Sequence, residues 1–125
     1  MRPTLVLLRI SAFALCAAVI VYSLLPQPPQ PFSFDGVDKI EHALAYAALS
    51  LLFCFGFPPT ASKPILAIRI VVPLFFVGAA IEFIQPSVGR HFDWFDMASN
   101  GCGVAAGWFA FLIIRKIRLR IADRA

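Results

Sequence analysis

Charge is what this sequence has least of: only 14% of its 125 residues are Asp, Glu, Lys or Arg, against about 25% in soluble domains. Apolar residues make up 60% and the mean hydropathy is +0.82, so a soluble globular domain is excluded and the chain reads as a membrane protein. At 13.7 kDa it forms one domain, residues 1–125, with no room for a soluble catalytic module beside its spans. Cysteine is scarce as well. Cys16, Cys54 and Cys102 are an odd number without paired spacing, which excludes a disulfide or zinc framework and leaves them as small apolar fillers. The net charge of +4 brings no aromatic-interleaved basic surface with it, so nucleic acid is not an expected partner. Polar residues are also missing from the inner halves of the apolar runs, apart from Ser11 and Ser50, which leaves no substrate path through a single chain.

What is present is four apolar segments of the length a bilayer demands, about 20 residues for a hydrocarbon core of roughly 30 Å. They cover residues 5–25, 40–57, 65–84 and 97–114, and predict an all-α, polytopic fold with four transmembrane helices. Arg9 is expected to snorkel from the first span toward the interface, and Pro73 to kink the third. The first segment also has the look of a signal peptide. It exceeds the roughly 7–15 apolar residues of a signal core, no small-x-small site precedes Leu24-Leu25-Pro26, and Leu15 replaces the small residue a lipoprotein box needs before Cys16. It is expected to remain as a span.

Arginine and lysine set the expected orientation. Arg2 and Arg9, Lys63 and Arg69, then Arg115, Lys116, Arg118, Arg120 and Arg124 fall on one side of the four spans, whereas the other side holds Lys39 and Arg90 among six carboxylates. The positive-inside rule then makes both termini cytoplasmic and turns the acidic connections outward, in a cytoplasmic (inner) membrane. The basic tail is an anchor to anionic lipid.

The acidic side carries two polar blocks. After the extended Gln27-Pro28-Pro29-Gln30-Pro31 connector, Asp38, His42 and Tyr46 recur every four residues and share one helix stripe. Asp38 and Glu41 also read as an N-cap with its capping partner. In the second block Glu82 and Gln85 lie one turn apart, and Asp93, Asp96, Asn100, Gly103 and Gly107 follow at alternating three- and four-residue steps. A polar stripe thus descends into the membrane and becomes a G-x-x-x-G stripe, the pattern of close helix packing. Phe92, Trp94 and Phe95 read as an interfacial aromatic belt.

Together, Asp38-Lys39-x-x-His42-x-x-x-Tyr46 and Glu82-x-x-Gln85, Arg90-x-x-Asp93-x-x-Asp96-x-x-x-Asn100-x-x-Gly103 resemble the VanZ-like family of small integral membrane proteins. The resemblance covers residues 35–110, and the first span matches only in being hydrophobic. It implies a polytopic cell-envelope protein related to one linked with low-level resistance to the glycopeptide teicoplanin. It implies no particular reaction.

Three functions are compatible with the residues. In a binding protein, the facing stripes form an outward pocket for a phosphate-bearing envelope lipid or glycan precursor, with Asp38, Lys39, His42, Tyr46, Gln85, Arg90 and Asn100 as contacts and the planar fork of Arg90 on the anion. In an enzyme acting on such a lipid, His42 or Glu82 is the general base, Asp93 and Asp96 are acid or metal-holding partners, and Arg90 stabilises charge. In a structural protein, Lys39 or Arg90 pairs with Asp93, Asp96 or Glu82 to join helical hairpins. His42, His91, Asp93 and Asp96 have donor types suited to a divalent ion, but their order matches no metal signature, so no metal or cofactor is assigned. Membrane lipids are the expected surroundings, and the glycine stripe permits a homo-oligomer.

Overall fold

The computed structural model describes residues 3–26, 36–58 and 68–124. The connector at 27–31, Asp35, Pro59 and Lys63 lie outside the described residues, as does Arg2. Helix α1 spans Pro3–Ser23, α2 Val37–Gly56, α3 Ile68–Ile84 and α4 Trp94–Ala122, with a 3₁₀ turn over Gln85–Val88 between α3 and α4. Among the described residues there is no strand, and all four helical segments, counting α3 with its 3₁₀ turn, are long and apolar enough to cross a membrane.

The helix boundaries depart from the expected ones where polar chemistry overrides hydropathy. The second helix begins before residue 40. Gly36, at φ 80°, turns the chain into α2 without any side-chain cap, a conformation open to glycine at little cost. Asp38 is therefore not the N-cap; it sits inside the first turn and accepts from Lys39 at 2.7 Å. The fourth helix begins at Trp94 because Asp93, in extended conformation, accepts the Phe95 amide at 2.7 Å, which satisfies one of the orphan donors of a helix start. It also runs past residue 114. Its 29 residues are about 44 Å of helix at 1.5 Å per residue, longer than a hydrocarbon core of roughly 30 Å requires. α3 continues through Pro73 in its second turn.

The chain alternates direction, which sorts its charges between two ends. At one end Arg9 Nε donates to the Gly56 carbonyl at 2.9 Å with its guanidinium 4.7 Å from the Phe57 ring centre, and Arg118 stands over Phe55 at 5.3 Å. Arg9 thus does more than snorkel: it meets a terminal carbonyl of α2, where cations are favoured by the helix dipole. At the opposite end are Ser23, Lys39, Glu82, Gln85, Arg90, Asp93 and Asp96.

The helices α2 and α4 run side by side in the same direction and form the core. Gly103 faces the backbone of Ala43, Gly107 that of Ala47, and in each case an added Cβ would meet the alanine's carbonyl oxygen. The G-x-x-x-G stripe is thus occupied within the chain. Tyr46, Leu49, Leu74 and Val104 pack beside this seam, and Cys54 with Phe111 continue it toward the arginine-rich end. Large apolar side chains cover the outside, among them Leu7, Phe76, Trp94, Phe95 and Ile113, each at least 60% exposed. In water that surface would be a liability; in lipid it is what a spanning helix presents.

A polar cluster between the helices

The site is built by the seam. Because Gly103 and Gly107 bring α4 onto α2, the residues preceding them on the same stripe are carried against the first turns of α2. Lys39 Nζ lies 2.8 Å from Asp93 Oδ2, 3.0 Å from Asp96 Oδ1 and 2.7 Å from Asp38 Oδ2. One ammonium therefore ties three carboxylates and two helices together. The Lys39 ammonium and, after it, the Phe95 amide hold the Asp93 carboxyl below the usual carboxylate range.

One turn deeper, His42 Nδ1 stands 2.8 Å from Asn100 Oδ1. The same nitrogen is 3.9 Å from Glu82 Oε1, and Nε2 is 3.8 Å from Asp96 Oδ2. These last two separations are beyond hydrogen bonding. Glu82, from α3, is 0% exposed, and neither of its carboxylate oxygens has a hydrogen-bond partner among the described residues. Tyr46 Oη and Asn100 Nδ2 are likewise buried without one. Gly78 makes room for these groups, since a Cβ there would come within 3.1 Å of both the Tyr46 ring and Asn100 Nδ2.

A cavity of about 310 Å³ adjoins the cluster, at the lower end of the range for small-molecule sites. The expected α2 stripe lines it: Asp38, His42 and Tyr46, together with Glu41. Ala18 and Val19 of α1 supply apolar wall, and Arg90 also lines it. One arm of Arg90, Nη1, donates to the Ser23 carbonyl at 3.1 Å, and Gln85 Nε2 donates to the same oxygen at 3.3 Å. Gln85 is thus engaged with α1, while Arg90 is shared between α1 and the cavity.

The structure brings together Lys39 with Asp38, Asp93 and Asp96, and His42 with Glu82, Asp96 and Asn100. It separates His91, which is exposed and absent from both groups. Three contributors had gone unnoticed in the sequence: the Ser23 carbonyl, Gly78, and the pair Ala43 and Ala47 that receives the glycines. Gly78 had a signal, because it precedes Glu82 by four residues and so shares its stripe. No family model, no curated protein and no solved structure matches this chain.

Proposed function

We propose that the protein is a VanZ-like component of the cell envelope, seated in the cytoplasmic membrane with both termini inside, whose outward polar cavity holds the anionic head of an envelope lipid or glycan precursor. The observation that carries this reading is the cavity of about 310 Å³ with Arg90 on its wall, where Ala18 and Val19 of α1 give apolar surface and Asp38, Glu41 and His42 of α2 give polar surface. An amphiphile needs both surfaces. The guanidinium is a planar donor fork suited to phosphate or carboxylate, and among the described residues its hydrogen bond is the one from Nη1 to Ser23. The orientation is supported by charge: Arg115, Lys116, Arg118 and Arg120 extend α4 at the end away from the cluster, which the positive-inside rule assigns to the cytoplasm.

The test is lipid retention by the purified protein, measured by mass spectrometry of co-extracted phospholipid and polyprenyl phosphates. Arg90→Ala should lose the retained species and Arg90→Lys should recover it in part. Undiminished retention by a folded Arg90→Ala protein refutes the pocket. A role in glycopeptide tolerance is a separate part of the proposal. It requires that a sensitive host expressing the wild type become less susceptible to teicoplanin, and that Asp96→Asn at matched membrane level lose the protection.

A second reading is favoured by Lys39, whose short contacts with Asp93 and Asp96 join α2 to α4. On that reading the cluster is a clasp between helices, and Asp96→Asn lowers protein level together with any phenotype. Equal protein level with loss of phenotype rejects it.

A further inference from the structure

The cluster contains two groups of carboxylates that share Asp96, and the first is built around a lysine ammonium. Asp38, Asp93 and Asp96 surround the Lys39 ammonium at 2.7–3.0 Å. On the other side of Asp96, one ring nitrogen of His42 and one oxygen from each of Glu82 and Asp96 lie within 4.8 Å of one another. Glu82 is fully buried there with both oxygens unpartnered among the described residues. A carboxylate in such surroundings is costly unless it meets a proton, a donor or a metal.

We infer that His42, Glu82 and Asp96 form a binding site for a divalent transition-metal ion. The donor set of one imidazole and two carboxylates suits Zn²⁺ or Mn²⁺ rather than an ion that demands oxygen alone. The spacing fits an open set of ligands. Donors around a tetrahedral ion with bonds of about 2.0–2.2 Å stand roughly 3.4 Å apart; one donor atom from each of the three residues already lies within 4.8 Å of the others, and the ring nitrogen not held by Asn100, Nε2, is 3.8 Å from Asp96 Oδ2, so binding asks the ligands to draw inward. They come from three different helices, α2, α3 and α4, and Asn100 Oδ1 steadies the imidazole at 2.8 Å from Nδ1, an outer contact of the kind that orients metal-bound histidines. The site shares His42 with the Arg90 cavity. A bound ion would therefore add positive charge beside the cavity. The inference does not depend on a lipid occupying that cavity.

The experiment uses the full chain, tag-free in detergent, stripped with chelator, freed of lipid and titrated separately with Zn²⁺ and Mn²⁺ by calorimetry and thermal unfolding. The expected result is one equivalent of either ion bound with a rise in Tm. His42→Ala and Glu82→Gln should abolish it, and Asn100→Ala should weaken it by about 10- to 100-fold, as loss of an outer-shell contact does. Asp93→Asn, whose carboxylate belongs to the Lys39 group, should bind like the wild type. No binding by folded wild type overturns the inference, and so does unchanged affinity in His42→Ala or Glu82→Gln. X-ray absorption of Co²⁺- or Zn²⁺-loaded wild type decides the matter even if those variants misfold. One imidazole with oxygen ligands supports the site; sulfur ligation from a cysteine overturns it.

Discussion

Replacing Gly103 by alanine adds one methyl group where α4 comes up against the α2 backbone, and its cost can be set against an internal control. At Gly103 the new Cβ meets the Ala43 carbonyl oxygen, a backbone atom that no rotamer change can remove. The helices must separate, and with them the neighbouring contact of Gly107 with Ala47. Overpacking of this kind costs about 1–3 kcal/mol, and the upper half applies because the obstacle is rigid. Alanine also removes glycine's excess backbone freedom in the helix, a gain of about 0.5–1 kcal/mol. The net expectation for Gly103→Ala is a loss of about 1–2.5 kcal/mol. At Gly101 the same Cβ meets only the edge of the Phe75 ring, at 3.2–3.3 Å, and Phe75 is partly exposed and free to give way. Gly101→Ala should be neutral or slightly stabilising. Unfolding in mixed micelles by titration with a denaturing detergent measures both. The order Gly103→Ala well below Gly101→Ala supports the seam; equal stabilities would refute it.

Three further outcomes follow from the clasp and the cap. Lys39→Met leaves Asp96 without its ammonium, and because the Lys39 side chain is 33% exposed and the Asp96 side chain 9% exposed the loss is discounted to about 1–2 kcal/mol. Adding Asp96→Asn to Lys39→Met should restore part of that stability, and strict additivity in the double-mutant cycle would show that the pair is not coupled. Asp93→Ala removes the cap of α4 and should cost about 1 kcal/mol at neutral pH. Since the folded Asp93 carboxyl is held below its ordinary value, its stabilisation is complete above about pH 4 and fades as pH falls through the lowered folded value. A wild-type advantage over Asp93→Ala that disappears already between pH 7 and 5 would contradict this assignment. Finally, Gly36→Ala places a side chain at φ 80° in open space and should cost about 1–2 kcal/mol by backbone strain alone, measured by the same unfolding titration.

The helices were legible because hydropathy and period are local. Four apolar runs and the stripe from Asp93 to Gly107 are properties of consecutive residues, and the structure preserves that stripe, from the Asp93 cap through Asp96 and Asn100 to the buried glycines. Boundaries were less legible, since Gly36 and Asp93 start their helices by backbone conformation and capping, which average hydropathy does not register. The grouping of the polar residues was least legible. His42, His91, Asp93 and Asp96 are sensible metal donors by type, but the choice among them depends on which residues of other helices they meet. Asp93 stops at the helix end and is taken up by Lys39, His91 turns outward, and Glu82 arrives from α3. The pairing of α2 with α4 comes from interhelical register, which one sequence does not display.

That register links the glycine seam to the chemistry of the site. The contact of Gly103 with Ala43 is one residue along α2 from His42 and three along α4 from Asn100, so the glycine fixes the height at which the imidazole meets its amide. Any side chain that pries the seam apart moves Asn100 and Asp96 away from His42 before it touches either of them. A Gly103→Ala protein that remains folded should therefore bind Zn²⁺ or Mn²⁺ more weakly than the wild type, although no ligand has been altered. Gly101→Ala, on the face toward Phe75, should bind as the wild type does. If ion affinity were instead equal in Gly103→Ala and the wild type, the cluster would owe its geometry to something other than the α2–α4 seam.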